Sequence, residues 1–339
     1  MNVRRHHISA AALAAVTALG LGTLTACSSD SAAAGGTGTF DVVASFYPMA
    51  FLAEQIGGEH VQVTSLTEPG QEPHDLEISA KQTAQLQESD AALYLKGLQP
   101  TVDEAIGQSG VETKIDAATL TSLESHGTEA DGHEDEHADE PKDEHADEHA
   151  GEDTHEDEEH GHEHEDGQDP HIWLDPVKYA EVAEGVGKAF EKADPDHAAD
   201  YKKNTAALVG KLNTLDEKFE TGLAGRKTDV FITTHAAFGH LAERYGLTEE
   251  AISGLSPESE PSGARVKELQ QTAKADGVTT VFYETLVSDK TAKTLAADAG
   301  LGTDVLDPLE GITDDSRGDD YFQVMEANLK ALQTALGAK

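Results

Sequence analysis

Cysteine is nearly missing from this 339-residue chain. Cys27 is its only one, so an intramolecular disulfide and a thiolate-bound metal are both excluded. Methionine occurs three times and tryptophan once, so no soft-sulfur cluster for Cu(I) can be assembled. Positive charge is also scarce: 24 Lys and Arg face 65 Asp and Glu, for a formal net charge of -41. A nucleic-acid or anionic-membrane surface would repel such a chain, whereas cations would be drawn to it. After the first two dozen residues no apolar run is long enough to cross a bilayer, which takes about 20 residues. The length allows one large or two medium domains, each with its own core.

The N-terminus reads as a targeting segment. Arg4 and Arg5 precede an alanine-rich apolar run from Ile8 to about Leu24. Leu24-Thr25-Ala26-Cys27 resembles a bacterial lipobox, in which the Cys becomes the lipidated first residue of the mature protein. Residues 1–26 are therefore expected to be a signal peptide. Residues 27–39 are expected to be a flexible tether carrying lipid on Cys27. The expected location is extracytoplasmic, anchored to the cell membrane. The Arg pair alone does not specify the export route.

Strand-like and helix-like stretches then alternate. FDVVASFY (40–47), VQVTSL (61–66) and AALYL (91–95) read as strands, separated by helix-like runs at 48–56, 79–89 and 101–109. Helices are expected at 177–193 and over a longer span, 195–223. Tyr201, Leu208, Leu212, Leu215 and Phe219 fall near one stripe of the longer one. Strands at 229–234, 279–285 and 303–309 follow, with helices at 236–246, 264–277, 289–300 and 321–336. This alternation points to an α/β fold with parallel sheets. The expected division is an N-terminal lobe at 40–193, a linking helix at 194–225 and a C-terminal lobe at 226–339.

Residues 126–169 break the pattern. They contain nine of seventeen His and twenty-one Asp or Glu, with almost nothing to bury, so a disordered insertion is expected. His133-Glu134-Asp135-Glu136-His137 matches H-E-x-x-H, but that zinc-protease signature needs a half-buried helix. No apolar neighbour is available here, Pro141 follows, and the variant His145–His149 lacks Glu in second place. Proteolysis is not expected. His126, His133, His137, His145, His149, His155, His160, His162 and His164 instead suit weak, multiple, exchanging metal binding.

Sharper signals lie outside the tract. His74 stands in EPGQEPHDLEIS, His171 in DPHIWLDP and His235 in FITTHAAFGHLAERYGL. Each is at a strand end or in a loop, and the C-terminal edge of an open α/β sheet is where ligands bind. Nearby Asp75, Asp169 and Asp175 are candidates to orient these rings. Trp173 reads as either a cleft wall or a core aromatic, and His60 and His197 as surface residues.

Together these segments resemble the zinc-specific solute-binding lipoproteins of ABC uptake transporters, within the metal-cation group. VVASFYPMAFLAEQIGG, PHDLEIS, DPHIWLDP, THAAFGHLAERYGL, VFYETLVSDKTAKTLAADAG and VLDPLEG carry the likeness, as does the His-acid loop before His171. The resemblance implies two (βα) lobes with parallel-type sheets, joined by one long rigid linking helix, and a metal site in the interlobe cleft. It implies His74, His171 and His235 as imidazole ligands of Zn²⁺. The fourth position matches Glu310 best, then Asp307 and Glu72. His240 stands where relatives often carry an aromatic residue. At five residues past His235 it would point about 140° away on a helix, so it is read as a non-ligand. The resemblance also implies a membrane permease with a cytoplasmic ATPase as partner. A monomer is expected, with no nucleic-acid partner and no catalysis.

Three imidazoles and a carboxylate suit tetrahedral Zn²⁺, whereas manganese and iron, the alternative cargo in this class, favour more oxygen ligands. Copper would compete on intrinsic affinity. An envelope metal buffer or metalloenzyme is the alternative from another class; an enzyme would need an open coordination position.

Overall fold

The structure, a computed structural model, describes residues 39–126 and 168–338. Cys27, the signal segment, most of the tether and the tract histidines from His133 to His164 lie outside the described residues.

Two four-stranded sheets organise the chain, and every strand pairing is parallel. The first holds β1 (Phe40–Ala44), β2 (Val61–Ser65), β3 (Ala91–Tyr94) and β4 (Thr113–Asp116), in the order β2-β1-β3-β4. The second holds β5 (Val230–Thr233), β6 (Thr248–Ala251), β7 (Thr280–Tyr283) and β8 (Gly302–Val305). Its order, β6-β5-β7-β8, repeats the first. In each sheet the chain leaves the first strand to opposite sides. The loops after its central pair therefore diverge and open a crevice.

Local chemistry sets the helices. Pro48 starts α1 (Tyr47–Gly57), and Gly58, at φ 57°, ends it. Ser79 and Gln82 form a capping box on α2 (Ala80–Glu88). A proline opens α3 (Pro100–Gln108). Asp175 caps α4 (Pro176–Ala193) by accepting from the Val177 amide. The 25-residue α5 (Ala198–Gly222) follows, about 37 Å long at 1.5 Å per residue. It buries Tyr201, Thr205, Leu208, Leu212, Leu215 and Phe219 on one stripe. Gly187 of α4 lets the two helices close, because a Cβ there would lie 2.3 Å from Thr205 Oγ1. In the second lobe run α6 (Gly239–Tyr245), α7 (Gly263–Ala275), α8 (Lys290–Ala299) and α9 (Tyr321–Leu336).

One hydrophobic core runs through both lobes. It joins β1 and α1 residues to α5, Phe231, Leu241 and α9. Phe51 of α1 stacks on Tyr321 of α9 at 5.4 Å, and Tyr321 Oη donates to the Trp173 carbonyl at 2.6 Å. Two smaller clusters fill the outer faces of the sheets.

The structure departs from the sequence reading at several places. Strands β4 and β6 were not anticipated. Both are four-residue edge strands that are only partly buried, so TKID and TEEA carry no apolar run. The strand expected at 303–309 stops at Val305. The helix expected from residue 236 begins at Gly239, since the Ala236 amide turns back to the Gly254 carbonyl. Pro195–His197 forms a 3-10 turn rather than the first turn of α5. The ends of the acidic tract are ordered, because His126 and His171 grip the buried Asp169 from both sides.

Candidate metal centre

His74, His171, His235 and Glu310 converge in the crevice between the lobes, though 236 residues separate the first from the last. Each arrives by a different local device. The loop after β2 is turned by Glu72, whose carboxylate accepts from the amides of His74 (3.1 Å) and Asp75 (3.2 Å). His171 sits before a 3-10 turn whose Trp173 is fully buried. His235 leaves the end of β5 at the switch point. Glu310 is carried by the loop after β8. There Leu309 adopts φ 59°, a left-handed conformation that a branched residue holds only when its surroundings impose it. Trp173 Nε1 donates to the Pro308 carbonyl at 2.7 Å, and Asp307 Oδ1 accepts from the Leu309 amide at 2.8 Å.

The geometry suits a small cation. Glu310 Oε1 lies 3.1 Å from His74 Nε2 and 3.4 Å from both His171 Nε2 and His235 Nε2. The last two nitrogens are 3.4 Å apart. Ligands bonded at about 2.0 Å in a tetrahedron stand roughly 3.3 Å from one another. Glu310 Oε2 is buried with no hydrogen-bond partner among the described residues, an anionic oxygen suited to a cation. His171, His235 and Glu310 are fully buried, and His74 is nearly so.

Carboxylates behind the rings set their tautomers. Asp169 Oδ1 takes His171 Nδ1 at 2.7 Å, and Glu284 Oε1 takes His235 Nδ1 at 2.7 Å. With Nδ1–H donated backwards, each Nε2 lone pair points into the site. Burial alone would lower the pKa of both rings. Asp169 and Glu310 around His171 outweigh it and raise that pKa. Glu284 and Glu310 raise His235 further, well above the ordinary imidazole value. Burial would raise Glu310, but hydrogen bonds from His171, His235 and His74 hold it well below the usual carboxylate range.

The other candidates play different parts. Asp307 accepts from Leu309, Thr285 and Ser316, which shapes the Glu310 loop and points its oxygens away from the four-atom cluster. Glu72 spends both oxygens on loop amides. Neither joins the cluster. Asp175 caps α4 and lies 3.4 Å from Arg244, and Asp75 is exposed, so neither orients a ring. Trp173 is a core aromatic, edge-on to Phe46, and its own ring lies 5.2 Å from that of His171. His60 and His197 are half-buried and stacked at 4.0 Å rather than free on the surface. Glu284 was missed in the sequence. Its position directly after β7, the strand beside β5, was the available signal, but strand pairing is needed to read it.

Residues 42–335 match the family described as ZnuA, zinc-uptake complex component A, periplasmic. The chain belongs to the ZnuA family. Zinc-binding lipoprotein AdcA of Streptococcus pneumoniae is 36% identical over 320 residues, which cover 91% of this chain and 58% of that protein. The chain thus spans little more than half the length of that relative. High-affinity zinc uptake system protein ZnuA of Bacillus subtilis is 35% identical over 304 residues, 88% of each chain. The crystal structure of the Zn(II)-bound ZnuA-like domain of Streptococcus pneumoniae AdcA superposes with a TM-score of 0.67. It is 32% identical and covers 88% of this chain and 99% of that one. The two parallel four-stranded sheets are those of a ZnuA-type fold.

Proposed function

We propose that this protein captures Zn²⁺ outside the cytoplasm and delivers it to an ABC importer through that importer's membrane permease. The observation that carries this reading is the cluster of three imidazoles and one carboxylate at 3.1–3.4 Å, with a carboxylate behind two of the rings. The proposed ligands are His74, His171 and His235 through Nε2, and Glu310 through Oε1. Such a set is tetrahedral and closed, and leaves no position for an activated water, so no catalysis is proposed. Zinc is the cargo, not a resident cofactor.

The remaining assignments follow from the sequence. Residues 1–26 would direct export, Cys27 would carry the lipid anchor, and residues 27–39 would tether a monomer to the membrane. The N-terminal lobe (40–193), linking helix (194–225) and C-terminal lobe (226–339) would hold the site between them. The His-rich acidic tract would gather zinc near the crevice or sense its excess.

Metal analysis and competitive titration against a chelator of known affinity test the reading. Wild type should retain zinc against a nanomolar competitor. His235→Ala, which removes one ligand and exposes Glu284, should lose at least 100-fold in affinity. Equal retention by the two proteins would refute the proposed ligand set.

A further inference from the structure

A second group of ligand-type side chains lies beside the first. His126 Nδ1 is 3.0 Å from Asp169 Oδ2, and His240 Nε2 is 3.8 Å from the same oxygen. The two rings meet edge to face at 4.4 Å. One ligand atom from each of the three residues falls within a single 4.8 Å cluster. We propose that His126, Asp169 and His240 form a second site for a divalent cation of the zinc type, joined to the first centre through the carboxylate of Asp169.

Hydrogen bonding by itself leaves this group unsatisfied. His240 is fully buried, and its Nδ1 has no hydrogen-bond partner among the described residues. Its Nε2 is 2.8 Å from the Asp169 carbonyl oxygen, and its Nδ1 is 3.4 Å from Glu124 Oε2. Both neighbours are acceptors. A neutral imidazole carries one proton, so in either tautomer one bare ring nitrogen faces an oxygen lone pair. Adding a second proton would answer both. That proton would put a full charge on a ring buried from water. A cation at Nε2, with the ring proton on Nδ1 towards Glu124, gives both ring nitrogens a partner and leaves the Asp169 carbonyl as a further oxygen beside the ion.

That arrangement reproduces the design of the first centre. There, His171 and His235 are each backed by a carboxylate on Nδ1. Here, His126 Nε2 is backed by Glu243 Oε2 at 2.9 Å and leaves Nδ1 facing the site. Glu124 Oε2, 2.6 Å from Lys178 Nζ, stands 3.4 Å from His240 Nδ1, looser than the 2.7 Å contacts of the first centre. A carboxylate behind each imidazole orients it and raises its basicity as a ligand. Two imidazoles and one carboxylate suit zinc-like ions over magnesium or calcium.

Space for the site depends on Gly239. A Cβ there would lie 2.4 Å from His126 Cβ and 2.7 Å from Asp169 Oδ2. Any other residue would evict the His126 ring. His126 is also the first histidine of the acidic tract, and Asp169 stands at its far end. The second site therefore lies where the tract begins and ends. Asp169 Oδ2 faces it while Oδ1 holds His171. An ion there would pull charge from the carboxylate that supports a ring of the first centre.

The test uses the full chain, stripped of metal and titrated with zinc against a micromolar chelator, alongside zinc-edge anomalous diffraction. Wild type should hold one more chelator-resistant equivalent than His240→Phe, which leaves every tract histidine in place. The second equivalent should weaken at least ten-fold in His126→Ala, which keeps the fold should the Phe variant misfold. A second anomalous peak should stand within bonding distance of Asp169 Oδ2. His235→Ala separates this site from the function proposed above: it should empty the first centre and leave the second filled. Equal equivalents in wild type and both variants, with no second peak at zinc excess, would overturn the proposal.

Discussion

At the scale of single residues, the centre works by opposing effects on buried groups. Burial disfavours charge on His171, His235 and Glu310, yet Asp169 behind His171, Glu284 behind His235 and the contacts of the rings with Glu310 reverse each shift. The consequences with pH can be signed. The raised His171 and His235 values stabilise the metal-free fold below the unfolded imidazole pKa of about 6.5, and this is lost as pH rises through the folded values. The lowered Glu310 value stabilises it above the unfolded carboxyl pKa of about 4.3, and this is lost as pH falls. The metal-free protein should therefore be most stable between about pH 4.5 and 6.5. Zinc must displace the ring protons, so its stabilisation should grow as pH rises from 6 to 8. Melting curves with and without zinc across that range check this. A zinc-induced shift that shrinks towards pH 8 would contradict it.

At the scale of elements, most strands and helices are legible because their periodicities are strong. The buried stripe of α5 is visible from Tyr201 to Phe219. β4 and β6 are not legible: an edge strand partly open to solvent can carry the exposed Lys114, and Glu249 is admitted beside the core only by its bonds from Thr233 Oγ1 and the Phe238 amide. The loop from Leu306 to Gly311 also escapes the sequence, because its course depends on Asn328, Trp173 and Asp307 together. Tyr321 ties α9 to the turn behind His171. Tyr321→Phe removes one buried hydrogen bond and leaves a carbonyl unpaired, which costs about 1–2 kcal/mol. A fall of a few degrees in melting temperature is expected, with zinc binding at the first centre intact. An unchanged melting temperature would show that this tie contributes nothing.

At the scale of the whole molecule, the two lobes share one core and α5 runs along both, so wide hinge bending would have to break that core. On the proposed function, zinc capture should change the radius of gyration little, and the signal to the proposed permease partner would lie in local loop ordering around His74 and Glu310. Supply to the site is the tract's proposed role. Deleting residues 128–166 removes its histidines except His126 and keeps Asp169. Equilibrium zinc affinity at the first centre should hold within about threefold, while stopped-flow loading at nanomolar zinc slows. Equal loading rates would end that role.

The histidines at 74, 171 and 235 were visible as candidates because three rings recur at strand ends or in loops beside turn residues, and the resemblance implied them as ligands. The α/β class was visible because alternating periods of two and 3.6 leave a record in any single chain. Other features were decided only by the tertiary structure. It set Glu310 Oε1 within 3.1–3.4 Å of the three imidazole nitrogens, and turned the oxygens of Asp307 and Glu72 to loop amides and hydroxyls. It put Glu284 behind His235 through the pairing of β5 with β7, and it brought His240 against Asp169. The physical reason is one of range. Periodicity and capping are written in neighbours, whereas a ligand shell is written in distances between atoms up to 236 residues apart.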